Sequence, residues 1–108
     1  MNEIENLYEN AGIERTAHCV LCDNPCPDDC YTGYLFTADK QIELIKWLSK
    51  RSLLNITFSN DKSTYHLFND KCTGSFCSDL ATAIATLVQC ELDFCTEDEK
   101  KQIKEILQ

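Results

Sequence analysis

The sequence predicts an α+β fold, in which a small antiparallel β-hairpin is packed by three to four helices behind a cysteine-rich N-terminal loop. Three observations predict it. Apolar residues recur at helical spacing in four separate stretches. Two short β-branched and aromatic runs, Leu53–Ser59 and Ser63–Asn69, are separated by Asn60-Asp61-Lys62, which signals a hairpin over residues 53–69. Four cysteines, Cys19, Cys22, Cys26 and Cys30, fall in a segment containing Pro25 and Pro27, both of which oppose a continuous helix. A chain of 108 residues is long enough for a single domain, 1–108, near the lower end of what can bury its own core.

Residues 2–11 read as the first helix. Asn2 caps it with Glu5 three residues on, and Ile4, Leu7, Tyr8 and Ala11 form an i, i+3, i+4, i+7 stripe. Gly12 then supplies a left-handed residue at the C-terminal end. Residues 18–33 form the cysteine loop. Thr37 caps a second helix, 38–51, whose apolar face is Ile42, Ile45, Trp47 and Leu48. Lys46, Lys50 and Arg51 crowd its C-terminal end, where the macrodipole favours cations.

In the hairpin, Leu54, Ile56 and Phe58 alternate toward one face and match Tyr65 and Leu67 on the return strand. Two strands alone are marginal, so helices are expected to cover this face. Tyr34–Phe36 offers a short third strand. Ser78 opens a third helix, 79–94, with Leu80, Ile84, Leu87 and Val88 inward. Thr96-Glu97-Asp98-Glu99 is a capping box for the last helix, 97–107, whose inward residues are Ile103, Ile106 and Leu107.

Charge excludes one class of partner. The net charge is −8, and residues 1–30 hold seven carboxylates (Glu3, Glu5, Glu9, Glu14, Asp23, Asp28, Asp29) against Arg15. Nucleic-acid backbones require clustered Lys and Arg, so direct binding to them is not expected. Such an acidic face suits a basic protein partner, or simply keeps a small protein in solution. No apolar run approaches the ~18 residues of a membrane span. Met1–Glu5 carries neither a basic nor an apolar stretch of secretory type, so the expected location is the cytoplasm.

Eight cysteines in such a chain call for chemistry. In a cytoplasmic setting, clustered thiols serve as metal ligands more often than as structural disulfides. Cys19-x2-Cys22 gives the usual zinc knuckle, and Cys26 and Cys30 lie near enough in sequence to complete a four-thiolate tetrahedron at ~2.3 Å. The three-residue link between the pairs is short for such a site. An iron–sulfur cluster is an alternative, although the middle gap and the proline position both depart from the ferredoxin-type run C-x2-C-x2-C-x3-C-P. Disulfides or free thiols are the remaining readings of the same four residues, and His18 is an alternative ligand.

The second set, Cys72, Cys77, Cys90 and Cys95, resembles a C-x4-C…C-x4-C motif. A helix over 79–94 would hold Cys77 and Cys90 roughly 20 Å apart, too far for one metal. These cysteines therefore read mainly as small buried hydrophobes, with a short disulfide, or a contribution of Cys72 and Cys77 to the first site, as the next readings. No phosphate-binding, dinucleotide, nucleophile-elbow or zinc-protease pattern occurs. His66, beside Phe68 in a strand, reads as a structural histidine.

The order "LYENAG", a cysteine-bearing loop, "FTADKQIELIKWL", a hairpin and "ATAIATLVQCELDFCTEDEKKQIKEIL" resembles small accessory proteins of Gram-positive phages and prophages. The resemblance covers most of the chain and carries no active site. It implies a small cytoplasmic protein of a mobile element, a class that includes inhibitors of host defence such as anti-CRISPR proteins. The expected function is thus a non-catalytic protein-interaction module stapled by zinc on Cys19, Cys22, Cys26 and Cys30. The alternatives are an iron–sulfur or dithiol redox protein and an extracellular domain stapled by disulfides.

Overall fold

Helix α3 (Leu80–Leu92) is apolar on nearly every side, and the other elements arrange themselves around it. The computed structural model describes residues 3–12 and 38–107, and the architecture over these residues is the expected α+β one: four helices and one two-stranded antiparallel sheet. In chain order the elements are α1 (Glu3–Asn10), α2 (Ala38–Arg51), β1 (Asn55–Ser59), β2 (Thr64–Phe68), α3 and α4 (Glu97–Leu107). Helices α1 and α2 and strand β2 all pack on α3, while α4 packs on α2.

Helix α1 docks through the expected stripe. Ile4, Leu7 and Ala11 are buried, Tyr8 packs against the same core, and Asn10 donates a side-chain hydrogen bond to Gln89 of α3. Gly12 has φ +75°, the left-handed conformation that a residue without Cβ adopts at no steric cost.

In α2 the buried residues are Leu44, Trp47 and Leu48, with Ile45 partly buried. Ile42, expected on this face, is instead exposed. The inward stripe runs 44, 47, 48, which places position 42 on the far side of the cylinder. The Trp47 ring N–H donates to Gln102 Oε1 at 3.0 Å, and Lys40 Nζ donates to the Leu107 carbonyl at 2.7 Å. Each bond ties α2 to α4, and the second satisfies a carbonyl at the C-terminal end of α4.

Strands β1 and β2 pair in the register Asn55↔Phe68, Ile56↔Leu67, Thr57↔His66, Phe58↔Tyr65 and Ser59↔Thr64. The turn extends one residue beyond Asn60-Asp61-Lys62 to Ser63, whose φ of 50° is the left-handed residue that reverses the chain. Beyond β2 the chain doubles back along the strand's other edge. Bridges Phe68↔Thr73 and Tyr65↔Cys77 hold this return segment, and Gly74 N–H donates to the Leu67 carbonyl at 2.9 Å. A Cβ on Gly74 would lie 2.7 Å from Thr86 Oγ1 and 2.9 Å from the Leu67 carbonyl, so only glycine lets the segment lie flat between β2 and α3.

Asp79, one residue later than expected, caps α3. Its carboxylate accepts from Thr82 N at 2.8 Å and Thr82 Oγ1 at 2.9 Å. The capping box of α4 forms as read from sequence. Thr96 N–H donates to Glu99 Oε1 at 3.1 Å, and Glu99 N–H donates to Thr96 Oγ1 at 3.3 Å. Ile103 and Leu107 are buried and Ile106 is partly so. The cysteine loop 18–33, the Thr37 cap and the strand at Tyr34–Phe36 lie outside the described residues.

Candidate functional site

Of the cysteines singled out in the sequence, Cys19, Cys22, Cys26 and Cys30 lie outside the described residues. The second set is described in full, and all four are free thiols. Cys72 is buried in the return segment after β2, while the other three are half-buried. Cys77 bridges to Tyr65 and donates its thiol to the Ser75 carbonyl at 3.6 Å. Cys90 sits in the last turn of α3. Cys95, just past that helix, donates to the Glu91 carbonyl at 3.1 Å. Among the described residues no group of three or more His, Cys, Asp or Glu side chains is arranged to hold a metal ion.

Around Cys72 lies a polar cluster that sequence reasoning missed. Glu91 occupies the inward stripe of α3, following Ile84, Leu87 and Val88 at helical spacing, and is 1% exposed. Its Oε2 accepts from Arg51 Nε at 2.8 Å and its Oε1 from Asn69 Nδ2 at 2.7 Å. Asn69 Oδ1 accepts from the backbone N–H groups of Lys71 (2.9 Å) and Cys72 (2.7 Å), which fixes the start of the return segment. The Arg51 guanidinium also pairs with Glu99 of α4 and lies over the Trp47 ring, 4.9 Å from its centre. One carboxylate thereby joins α2, α3, the end of β2 and, through Arg51, α4. A Glu within an otherwise apolar helical stripe was the available signal.

The electrostatics follow from this geometry. Burial alone would raise the Glu91 carboxyl. The Asn69 and Arg51 hydrogen bonds and the Arg51 charge outweigh it and hold the group below the usual carboxylate range. Cys72 is pushed up to about 12 by burial, by its hydrogen bond with Cys90 and by the negative charge of Glu91. Burial likewise raises Cys95, although the positive charge of Arg51 opposes it. Beside this cluster, Trp47, Lys50, Arg51, Lys71, Phe94 and Glu99 line an open cleft of about 490 Å³.

The hairpin carries the second notable surface. Ile56, Phe58, Tyr65 and Leu67 share one face, as expected, and Leu67 is fully buried against the core. The expected cover reaches only part of that face. Helix α3 packs on β2, and Ile56 (47% exposed) and Phe58 (51% exposed) project beyond it. On the opposite face His66 stacks between Phe68, at 4.9 Å, and Phe76, at 4.3 Å. This position suits the structural role read for His66, but its Nε2 is buried without a hydrogen-bond partner. Among the described residues β1 pairs only with β2.

Three comparisons bear on identity. No protein-family model, curated protein or solved structure matches this chain. No helix among the described residues is long and apolar enough to cross a membrane.

Proposed function

We propose that the chain is a non-catalytic protein-interaction module that receives an extended, basic segment of a partner protein along β1. The observation that carries this reading is the outer edge of β1, which no described strand pairs, beside exposed Ile56 and Phe58. An unpaired strand edge offers main-chain N–H and C=O groups at strand spacing, and alternate apolar side chains supply pockets for specificity. Apolar side chains left adjacent on a small acidic protein are more informative than scattered ones. The net charge of −8 favours a cationic partner and speeds its encounter with the chain.

A four-thiolate zinc staple on Cys19, Cys22, Cys26 and Cys30 belongs to the same reading and is supported by their spacing alone. Inhibition of a host-defence protein is one role such a module would serve, supported only by the sequence resemblance. Elemental analysis of protein purified anaerobically separates this reading from the redox alternative. About one zinc per chain is expected, whereas iron with visible absorbance replaces the staple by a cluster.

A selection from displayed peptide libraries tests the surface. Enriched peptides should alternate apolar residues with Lys or Arg, and should lose affinity at least tenfold for an Ile56→Lys, Phe58→Asp double variant. Enrichment that survives the double variant, or no enrichment at all, overturns the β1 reading.

A further inference from the structure

The cleft beside the Glu91 cluster is walled by four separate parts of the chain. The C-terminal end of α2 supplies Trp47, Lys50 and Arg51, and the return segment after β2 supplies Lys71. Phe94 comes from the link between α3 and α4, and Gln102 from α4 itself. Trp47 and Arg51 are held in place, the ring by its hydrogen bond to Gln102 and the guanidinium by Glu91 and Glu99. Lys71 rides on backbone that Asn69 fixes, and the Phe94 N–H donates to the Glu91 carbonyl at 2.9 Å. The walls are therefore set before any ligand arrives.

What these walls leave unused is positive charge and one aromatic ring. Lys50 and Lys71 are exposed, and among the described residues neither belongs to an ion pair. The macrodipole of α2 accounts for Lys50, in its last turn, but not for Lys71, which arrives on another element. Phe94, at the same cleft, is 62% exposed. Gln102 accepts from Trp47 through Oε1, which leaves its amide nitrogen as a further donor. On a chain of net charge −8, two such lysines beside an exposed ring reverse the prevailing charge locally.

We propose that this cleft is a binding site for a small aromatic anion, a planar ring bearing one carboxylate or phosphate. The ring packs against Phe94, and Lys50, Lys71 and the Gln102 amide meet the anionic group. The volume of about 490 Å³ lies within the ~300–1,000 Å³ of small-ligand sites. The charge of Arg51 is already taken by Glu91 and Glu99, so the two lysines are what remains for the ligand. That suits a single anionic group and disfavours a polyanion such as a nucleic-acid strand. Because both lysines are solvated, added salt should weaken the complex. The site shares no residue with the β1 surface and does not depend on it.

Trp47 is the chain's single tryptophan and lines the cleft, so its indole N–H resonance reports occupancy in the full chain. Naphthoate and adenosine monophosphate are the two probes. Naphthylmethanol and inorganic phosphate supply the ring and the charge alone. A saturable shift is expected with at least one probe, and either half alone should bind more weakly by about tenfold or more. A response to naphthoate only assigns a carboxylate, and a response to the nucleotide only assigns a phosphate. A Lys50→Gln, Lys71→Gln double variant and Phe94→Ser should each weaken binding by about tenfold. All three positions are exposed, so the other resonances should keep their native positions. No shift with either probe at millimolar concentration, equal binding of inorganic phosphate, or binding that survives either variant overturns the proposal.

Discussion

The Glu91 cluster and strand β1 depart from the usual partition of residues in opposite directions. At Glu91 a charge is buried, and the fold surrounds it with Arg51, Asn69 and the return segment. Along β1, apolar side chains are exposed, and no described element covers Ile56 or Phe58. A buried charge is tolerated only when paired, so the first departure is compensated within the chain. Among the described residues the exposed apolar edge of β1 has no comparable compensation, and the proposed partner would supply it. Internal completeness marks the first region as an element of the fold.

Removing the guanidinium should produce the largest effect. Arg51→Met leaves Glu91 buried without its charge partner, at an expected cost of about 3–5 kcal/mol in chemical denaturation. The pH dependence should change with it. In the native chain the Glu91 carboxyl is held low, so its contribution to stability is complete above the ordinary value of 4.5 and is lost as pH falls through the lower folded value. In Arg51→Met the burial effect prevails and the folded value moves above the ordinary one. The variant should therefore lose stability as pH rises from about 4 to 7, where the native chain does not. A variant with the native pH profile would show that the cluster does not hold Glu91 as described.

Leu67 supplies the next largest effect, within the hairpin itself. It faces Ile56 across the ladder, yet is fully buried against the core. Leu67→Ala should destabilise by about 2–5 kcal/mol through lost burial and the cavity left behind. An effect below about 1 kcal/mol would mean that β2 is no better packed than β1.

The contrast between local and distant partners also explains what the sequence revealed. The Thr96–Glu99 capping box and the left-handed Gly12 are decided within a few residues, and both appear as expected. The helical stripes of α1 and α4 are likewise local, since one face must be buried whatever covers it. The partners of Glu91 were not legible, because Arg51 and Asn69 are 40 and 22 residues away and only packing brings them together. Alternation placed Ile56 and Phe58 on the correct face of the hairpin. It could not say that α3 would lie over β2 and stop there. The zinc ligands expected at Cys19, Cys22, Cys26 and Cys30 fall outside the described residues, so their spacing is the whole of their case.

The smallest effect is the most discriminating for β1. Ile56→Thr keeps a β-branched residue suited to a strand and removes apolar surface that is already about half solvated. Its folding cost should stay within about 0.5 kcal/mol, as for surface substitutions generally. Affinity for a peptide bound along β1 should nonetheless fall, because the ethyl arm that the hydroxyl replaces becomes fully buried only in the complex. A folding cost above about 1.5 kcal/mol would mean that Ile56 is covered in the free protein, and the two strands would then differ little. Near-wild-type stability with weakened capture is the combination that a docking strand requires, and a residue packed into the chain's own core would give the reverse.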